Sequence, residues 1–163
     1  MIFSDIYFLK KALIQAQKAY AQQEVPIGAV LVSNNHILAE GFNLKETDED
    51  PTAHAEMVAL RKACEKLKSW RLKETTLYVT CEPCLMCAGA LLQARIKRLV
   101  YGCSDIKAGA VTSLYHVLED QRLNHQIVVQ SGVLEKECRE LLQNFFKVRR
   151  GVRAVEGARL ESV

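Results

Sequence analysis

No stretch of this 163-residue chain approaches the roughly twenty consecutive apolar residues that a bilayer-spanning helix needs, so no membrane span is expected. The opening segment, MIFSDIYFLKKAL, scatters Asp5, Lys10 and Lys11 among its apolar residues, unlike the uninterrupted apolar core of a secretory signal. A cytoplasmic location is therefore expected. Internal repeats and low-complexity runs are absent, and a net charge of only +3 is too small to indicate a partner. The length suits one domain, 1–163, large enough to bury an ordinary core, with no second domain required.

Cysteine, by contrast, is plentiful. Three of the six cysteines, Cys81, Cys84 and Cys87, fall within the stretch VTCEPCLMCAGAL from Val79 to Leu91. In a reducing cytosol such a cluster favours metal or redox chemistry over three disulfides. Cys64, Cys103 and Cys138 stand apart, and a lone cysteine among apolar neighbours is usually a small buried hydrophobe.

The spacing of Ile6, Leu9, Leu13, Ala16 and Tyr20 predicts an amphipathic first helix with one buried face. Two strands follow, IGAVLV and HILAEG, joined at Asn34 and Asn35, residues that tolerate the positive φ of a tight hairpin. Helix resumes after Pro51. TTLYVT and RLVYG then read as strands around a helical CLMCAGALLQARI, a βαβ unit; NHQIVVQ reads as a fifth strand. Glu135 to Arg150 forms a last amphipathic helix through Leu141, Leu142, Phe145 and Phe146, with a basic helix end and tail from about Lys147. This order predicts an α/β fold with a central mixed sheet covered by helices on both faces.

Within that frame, Pro83 suits a first helical position, which puts Cys84 and Cys87 one turn apart on the same face. The free amides and dipole of a helix start favour thiolate, the form that binds zinc. His54, in the stretch DPTAHAEMVAL, falls in the first turn of another helix, with Glu56 beside it. His54, Cys84 and Cys87 would supply three ligands and leave a fourth tetrahedral position open, as catalytic zinc sites do and closed structural sites do not. A thioredoxin-like dithiol also explains a CxxC at a helix start, but explains neither His54 nor Glu56. Cys81 belongs to the strand end and is not counted as a ligand.

Taken together, HAE at His54–Glu56 and PCLMC at Pro83–Cys87 resemble the zinc-dependent nucleoside and nucleobase deaminases. EVPIGAVLV, GFN, DPTAHAE, TLYVTCEPCLMCAGAL and FFKVRR narrow the resemblance, over roughly Ile6 to Arg150, to the tRNA adenosine deaminases that convert wobble adenosine to inosine. The resemblance implies a three-layer α/β/α cytidine-deaminase-like fold with a five-stranded sheet, one Zn2+ per chain, and a homodimer that binds a tRNA anticodon stem-loop. Zinc would bring the pKa of bound water to about 7, and Glu56, a carboxylate that is not a ligand, would move the protons. Cys81 and Cys103 stand where an aliphatic residue and an alanine are usual.

The resemblance also sets the Asn43 amide against the flipped base, although asparagine equally completes turns. It makes Val25, Pro26 and Ile27 an apolar wall, and gives Asp105 and Asn124 contacts to ribose or neighbouring nucleotides. Core packing and loop capping are the commoner uses of such residues. One of Phe145 and Phe146 should be core and the other free to stack on an unpaired base, while Arg149 and Arg150 could meet phosphates or simply sit at a solvated helix end. The expected function is deamination of wobble adenosine in tRNA. A free guanine or cytosine deaminase is the alternative within the class; an RNA-binding module with structural zinc is the alternative outside it.

Overall fold

The structure, a computed structural model, describes residues 3–160. Five strands form one sheet: β1 (Gly28–Ser33), β2 (His36–Phe42), β3 (Thr75–Cys81), β4 (Arg98–Cys103) and β5 (Val128–Gln130). Their order is β2-β1-β3-β4-β5, with β1 antiparallel to β2 and β3, and β3, β4 and β5 mutually parallel. The hairpin turns on Asn34 and Asn35, at φ 47° and 64°, the double positive φ that matches the twist of a two-residue hairpin loop.

Side-chain alternation along the strands sorts the helices into two layers. Ala29, Leu31, Leu77, Val79, Leu99 and Tyr101 face α2 (Ala55–Leu67) and α3 (Leu85–Ala94). Val30, Val32, Tyr78 and Val100 face α1 (Asp5–Ala21) and Cys138 of α4 (Glu135–Leu160), and the alternation breaks at the ends of β3 and β4, where Cys81 and Cys103 join this second layer. The expected three-layer α/β/α architecture with a mixed five-stranded sheet is what forms.

Four elements differ in detail from expectation. The buried face of α1 runs through Phe8, Leu9, Ala12, Gln15, Ala16 and Ala19, while Ile6 is exposed and Leu13 and Tyr20 are half-buried. The cause lies on the sheet: a side chain at Gly28 would overlap the backbone of Ala12 and Ala16, so α1 rests directly on β1 where these two alanines cross it. α3 ends at Ala94 rather than Ile96, because Arg95 turns left-handed at φ 61°. β5 has shrunk to three residues, Asn124 to Ile127 running ahead of it as loop, and α4 continues past Arg150 to Leu160. Of the basic C-terminal run, residues 161–163 lie outside the described residues.

Candidate functional site

At the carboxyl ends of β3 and β4, where ligands gather in open α/β sheets, the starts of α2 and α3 converge. His54 is the N-cap of α2 and Cys84 the N-cap of α3, both with extended backbone and neither using its side chain to cap. The helix start shifts by two places here. Pro83 precedes the cap rather than opening the helix, and His54 likewise stands just outside its helix. Cys87 is then the third residue of α3, where its side chain reaches back over the cap.

His54 Nδ1 lies 3.6 Å from Cys84 Sγ and 3.6 Å from Cys87 Sγ, and the three ligand atoms all lie within 4.8 Å of one another. Tetrahedral zinc, with Zn–N near 2.0–2.1 Å and Zn–S near 2.3 Å, requires an N···S edge of about 3.6 Å. The donor set therefore fits the ion that the resemblance implies. The hydrogen bond from Cys87, aided by His54 and opposed by burial, holds Cys84 near 4, while the same bond and burial push Cys87 far up. His54 is raised by its hydrogen bond to Cys84, against the opposing effect of burial.

Glu56, second residue of α2, is only 4% exposed. Burial is the main cause that lifts it to about 7, with the Cys84 thiolate adding to the rise. A carboxyl balanced there gives and takes a proton near neutral pH, the property required of a shuttle. Cys81 is no part of this group. It lies opposite Cys103 in the β3–β4 register, buried, and its hydrogen bond to Cys103 together with burial pushes the thiol well above its ordinary range. Cys103 and Cys138 are also buried, as structural thiols should be; Cys64 is partly buried.

A cavity of about 170 Å3 opens onto His54, Glu56 and Cys84, and its walls include Val25, Ile27, Asn43 and Asp105. Pro26 is buried behind Val25 and Ile27 and does not line it. Asn43 completes its turn, with Oδ1 accepting from Lys45 N at 3.3 Å and Nδ2 donating to Val25 O at 3.4 Å, and it also lines the cavity. Asp105 Oδ1 accepts from the amides of Lys107 and Ala108, fixing the loop beside the cavity. Asn124 is not brought to this cavity. Its Oδ1 accepts from Arg95 at 2.8 Å in a separate polar groove with Arg71, Lys73 and Lys97, at the opposite end of the parallel strands. On α4, Phe145 is buried edge-on against Tyr20 with Arg149 over its ring, which leaves Phe146, 45% exposed, as the ring with a free face. Arg149 and Arg150 are exposed.

Sequence reasoning missed Lys45, Ala108 and Glu82 on the cavity walls. Glu82 is buried at 3%, although burial alone would lift its carboxyl; hydrogen bonds from Ser113 and from the amides of Thr112, Ser113 and Asp105 outweigh this and hold it below the ordinary carboxylate value. Its position inside the CEPC stretch was the available signal, since a charged residue between a buried strand and a buried helix start must have found partners.

The MafB19-like deaminase model matches residues 3–150. The chain is 49% identical to the tRNA-specific adenosine deaminase of Haemophilus influenzae, over 98% of this chain and 92% of the relative. A solved structure of a tRNA:A34 deaminase superposes with TM-score 0.81 at 45% identity, covering 83% of this chain and 99% of the other. Guanine deaminase of Bacillus subtilis superposes less well, with TM-score 0.61 at 36% identity over 69% and 82% of the two chains. The histidine–cysteine triad, the buried glutamate beside it and these likenesses have one reading: the chain belongs to the tRNA-specific adenosine deaminase family.

Proposed function

We propose that the chain is a single zinc-dependent deaminase domain that converts adenosine to inosine at the wobble position of tRNA, with His54, Cys84 and Cys87 holding one Zn2+ and Glu56 moving protons. The observation that carries this reading is the 3.6 Å N···S spacing of the triad with Glu56 buried beside it. Zinc bound there would supply Lewis-acid activation of water, which is too weak a nucleophile on its own to add to C6 of adenine.

The residues of the chain do the rest. Glu56, balanced near neutrality, takes a proton from the attacking water and delivers it to the ring nitrogen, then takes the remaining proton from the new C6 hydroxyl and passes it to the amine, which leaves as ammonia while C6=O forms. Val25 and Ile27 offer an apolar wall to the base, and Asn43 keeps hydrogen-bonding capacity beyond its internal bonds, since an amide has two N–H groups and two acceptor lone pairs. The cavity, about 170 Å3, is smaller than the roughly 300–1,000 Å3 of sites that enclose a whole drug-sized ligand. It suits one flipped base, with sugar and chain left outside. On the cavity wall Asp105 meets the ribose or a neighbouring nucleotide; outside the cavity, Phe146 supplies a stacking face and Arg149 and Arg150 meet phosphates.

The homodimer forms across the α2–α3 face, where Leu60, Cys64, Trp70, Ala90 and Ala94 line an apolar groove and Trp70 is 54% exposed. No described helix is long and apolar enough to cross a membrane, and a tRNA substrate places the enzyme in the cytoplasm.

The reading is tested by incubating zinc-loaded protein with a tRNA bearing adenosine at the first anticodon position, its isolated stem-loop, adenosine, adenine, guanine and cytosine. Flipping a base that is already unpaired costs little, and contacts to flanking nucleotides recover that cost. Inosine should form in both RNAs far faster than ammonia is released from any small molecule. Ammonia from guanine or cytosine with unedited RNA would overturn the tRNA assignment in favour of free-base deamination. Editing that persists in a zinc-free preparation would overturn the metal assignment.

A further inference from the structure

We propose that Glu82 is a positioning residue for the substrate: its buried carboxylate folds the 105–113 loop onto the metal-ligand turn and thereby sets the wall against which the flipped nucleotide rests. The inference builds on the deaminase reading of the same site. Glu82 Oε1 accepts from the amides of Val111 at 3.0 Å, Thr112 at 2.7 Å and Ser113 at 2.9 Å. Its Oε2 accepts from the Asp105 amide at 3.0 Å and from the Ser113 hydroxyl. One side chain therefore holds both ends of the loop: Oε1 takes the three amides of 111–113, and Oε2 takes the Asp105 amide together with the Ser113 hydroxyl. Among the described residues it has no cationic partner, so its charge rests on these loop donors, as in an anion-binding nest of amides.

The loop is fitted to this carboxylate from its own side too. A side chain at Gly109 would overlap the Glu82 carboxylate. Gly109 forms an isolated bridge with Cys84, and the Ala110 amide donates to Pro83 O at 2.9 Å. The three consecutive residues Glu82, Pro83 and Cys84 thus all grip one loop, and Cys84 is a proposed zinc ligand. Asp105 spends Oδ1 on the Lys107 and Ala108 amides, which stiffens 105–108, and Asp105 and Ala108 line the cavity that also holds His54, Glu56 and Cys84. Metal turn and substrate wall are built as one rigid piece, joined through Glu82. A wall displaced by about 1 Å costs on the order of a hundredfold in rate when reacting atoms must be aligned.

The test uses Glu82→Gln, Gly109→Ala and their double variant in the full-length, zinc-loaded protein. Glutamine keeps one oxygen for the 111–113 amides but turns its NH2 toward the Asp105 amide, so the loop is released at its first end. Glu82→Gln should keep one zinc per chain, lower kcat/KM for the stem-loop about 10- to 100-fold, and speed amide exchange at Asp105 more than at Val111 or Thr112. Gly109→Ala should reproduce that kinetic loss with Glu82 intact, and the double variant should be no worse than the poorer single, because both act through one displacement. Unchanged kcat/KM and exchange in Glu82→Gln would overturn the proposal. So would multiplicative losses in the double variant, or loss of zinc in step with activity, which would make Glu82 a support of the metal turn alone. Amide exchange reads the loop whether or not the protein edits RNA, so a wild-type protein that edits nothing would remove the functional reading while leaving this tether measurable.

Discussion

The first helix and the two helices at the site begin in opposite ways. α1 opens on Ser4, whose hydroxyl accepts from the Tyr7 amide, followed by Asp5, whose carboxylate takes two hydrogen bonds from Arg98 at 2.7 and 2.8 Å and one from Tyr78 at 2.9 Å. That start is capped and tied to β3 and β4. α2 and α3 open on His54 and Cys84, neither of which caps its own helix. A serine or aspartate at those two places would satisfy the first amides and stabilise each helix by about 1 kcal/mol. The site gives that stability up: side chains that would ordinarily turn inward to cap turn toward each other instead, and the amides and helix dipoles left behind favour the thiolates that a metal needs.

The comparison can be broken most sharply at the uncapped starts. Cys84→Ala or Cys87→Ala should lose zinc and abolish editing, while Cys81→Ala should retain one zinc per chain; metal analysis of the purified variants decides, and a zinc-free Cys81→Ala protein would mean that the ligand set is drawn wrongly. Next in size is the contrast on α4. Phe146→Ala should weaken stem-loop binding about tenfold, as loss of a stacked base does, and leave the melting temperature nearly unchanged. Phe145→Ala should destabilise the fold by about 3 kcal/mol because that ring is packed against Tyr20. Arg149→Ala and Arg150→Ala should each lower the salt dependence of RNA binding by about one unit with zinc untouched; binding and slope at wild-type values would mark the cluster as a solvated face.

How far the sequence revealed these features depends on the range of the interactions. The His54–Cys84–Cys87 cluster was legible because its parts are local: HAE and PCLMC each sit on one helix start, and only the place of the helix start was misjudged, since a shift of a residue or two leaves the spacing within each motif unaltered. The hairpin was legible for the same reason, at Asn34–Asn35. The α1 face was not, because it is set by Gly28 on a strand that the helix pattern does not mention. Glu82 escaped notice because its partners lie 23 to 31 positions away in a loop without regular structure. Asn124 reads as a site residue only by likeness; the fold sets it on a groove at the far end of the strands.

Smaller effects sharpen the other side of the comparison. The Arg98 guanidinium, opposed by burial and helped by Tyr78, holds Asp5 below its ordinary 3.8. A depressed folded value adds stability above the unfolded pKa, and that stability is lost as pH falls through the folded value. Asp5→Asn should therefore cost about 1 kcal/mol at neutral pH, discounted for a pair that is one-third exposed, and the gap from wild type should close below about pH 4 in thermal melts. A gap that widened in acid would reverse the assignment. Ser4→Ala should cost about 0.5–1 kcal/mol with no pH dependence of that kind.

In the proposed mechanism Glu56 works beside the metal without holding it. Single-turnover inosine formation in the zinc-loaded stem-loop complex, with Glu56→Gln set against wild type at matched zinc content, measures this directly. The prediction is one zinc per chain in both proteins and a rate at least about a hundredfold lower in the variant, the usual loss when a general acid–base group is removed. A Glu56→Gln protein that forms inosine at the wild-type rate, or one that comes out of purification without zinc, would contradict it.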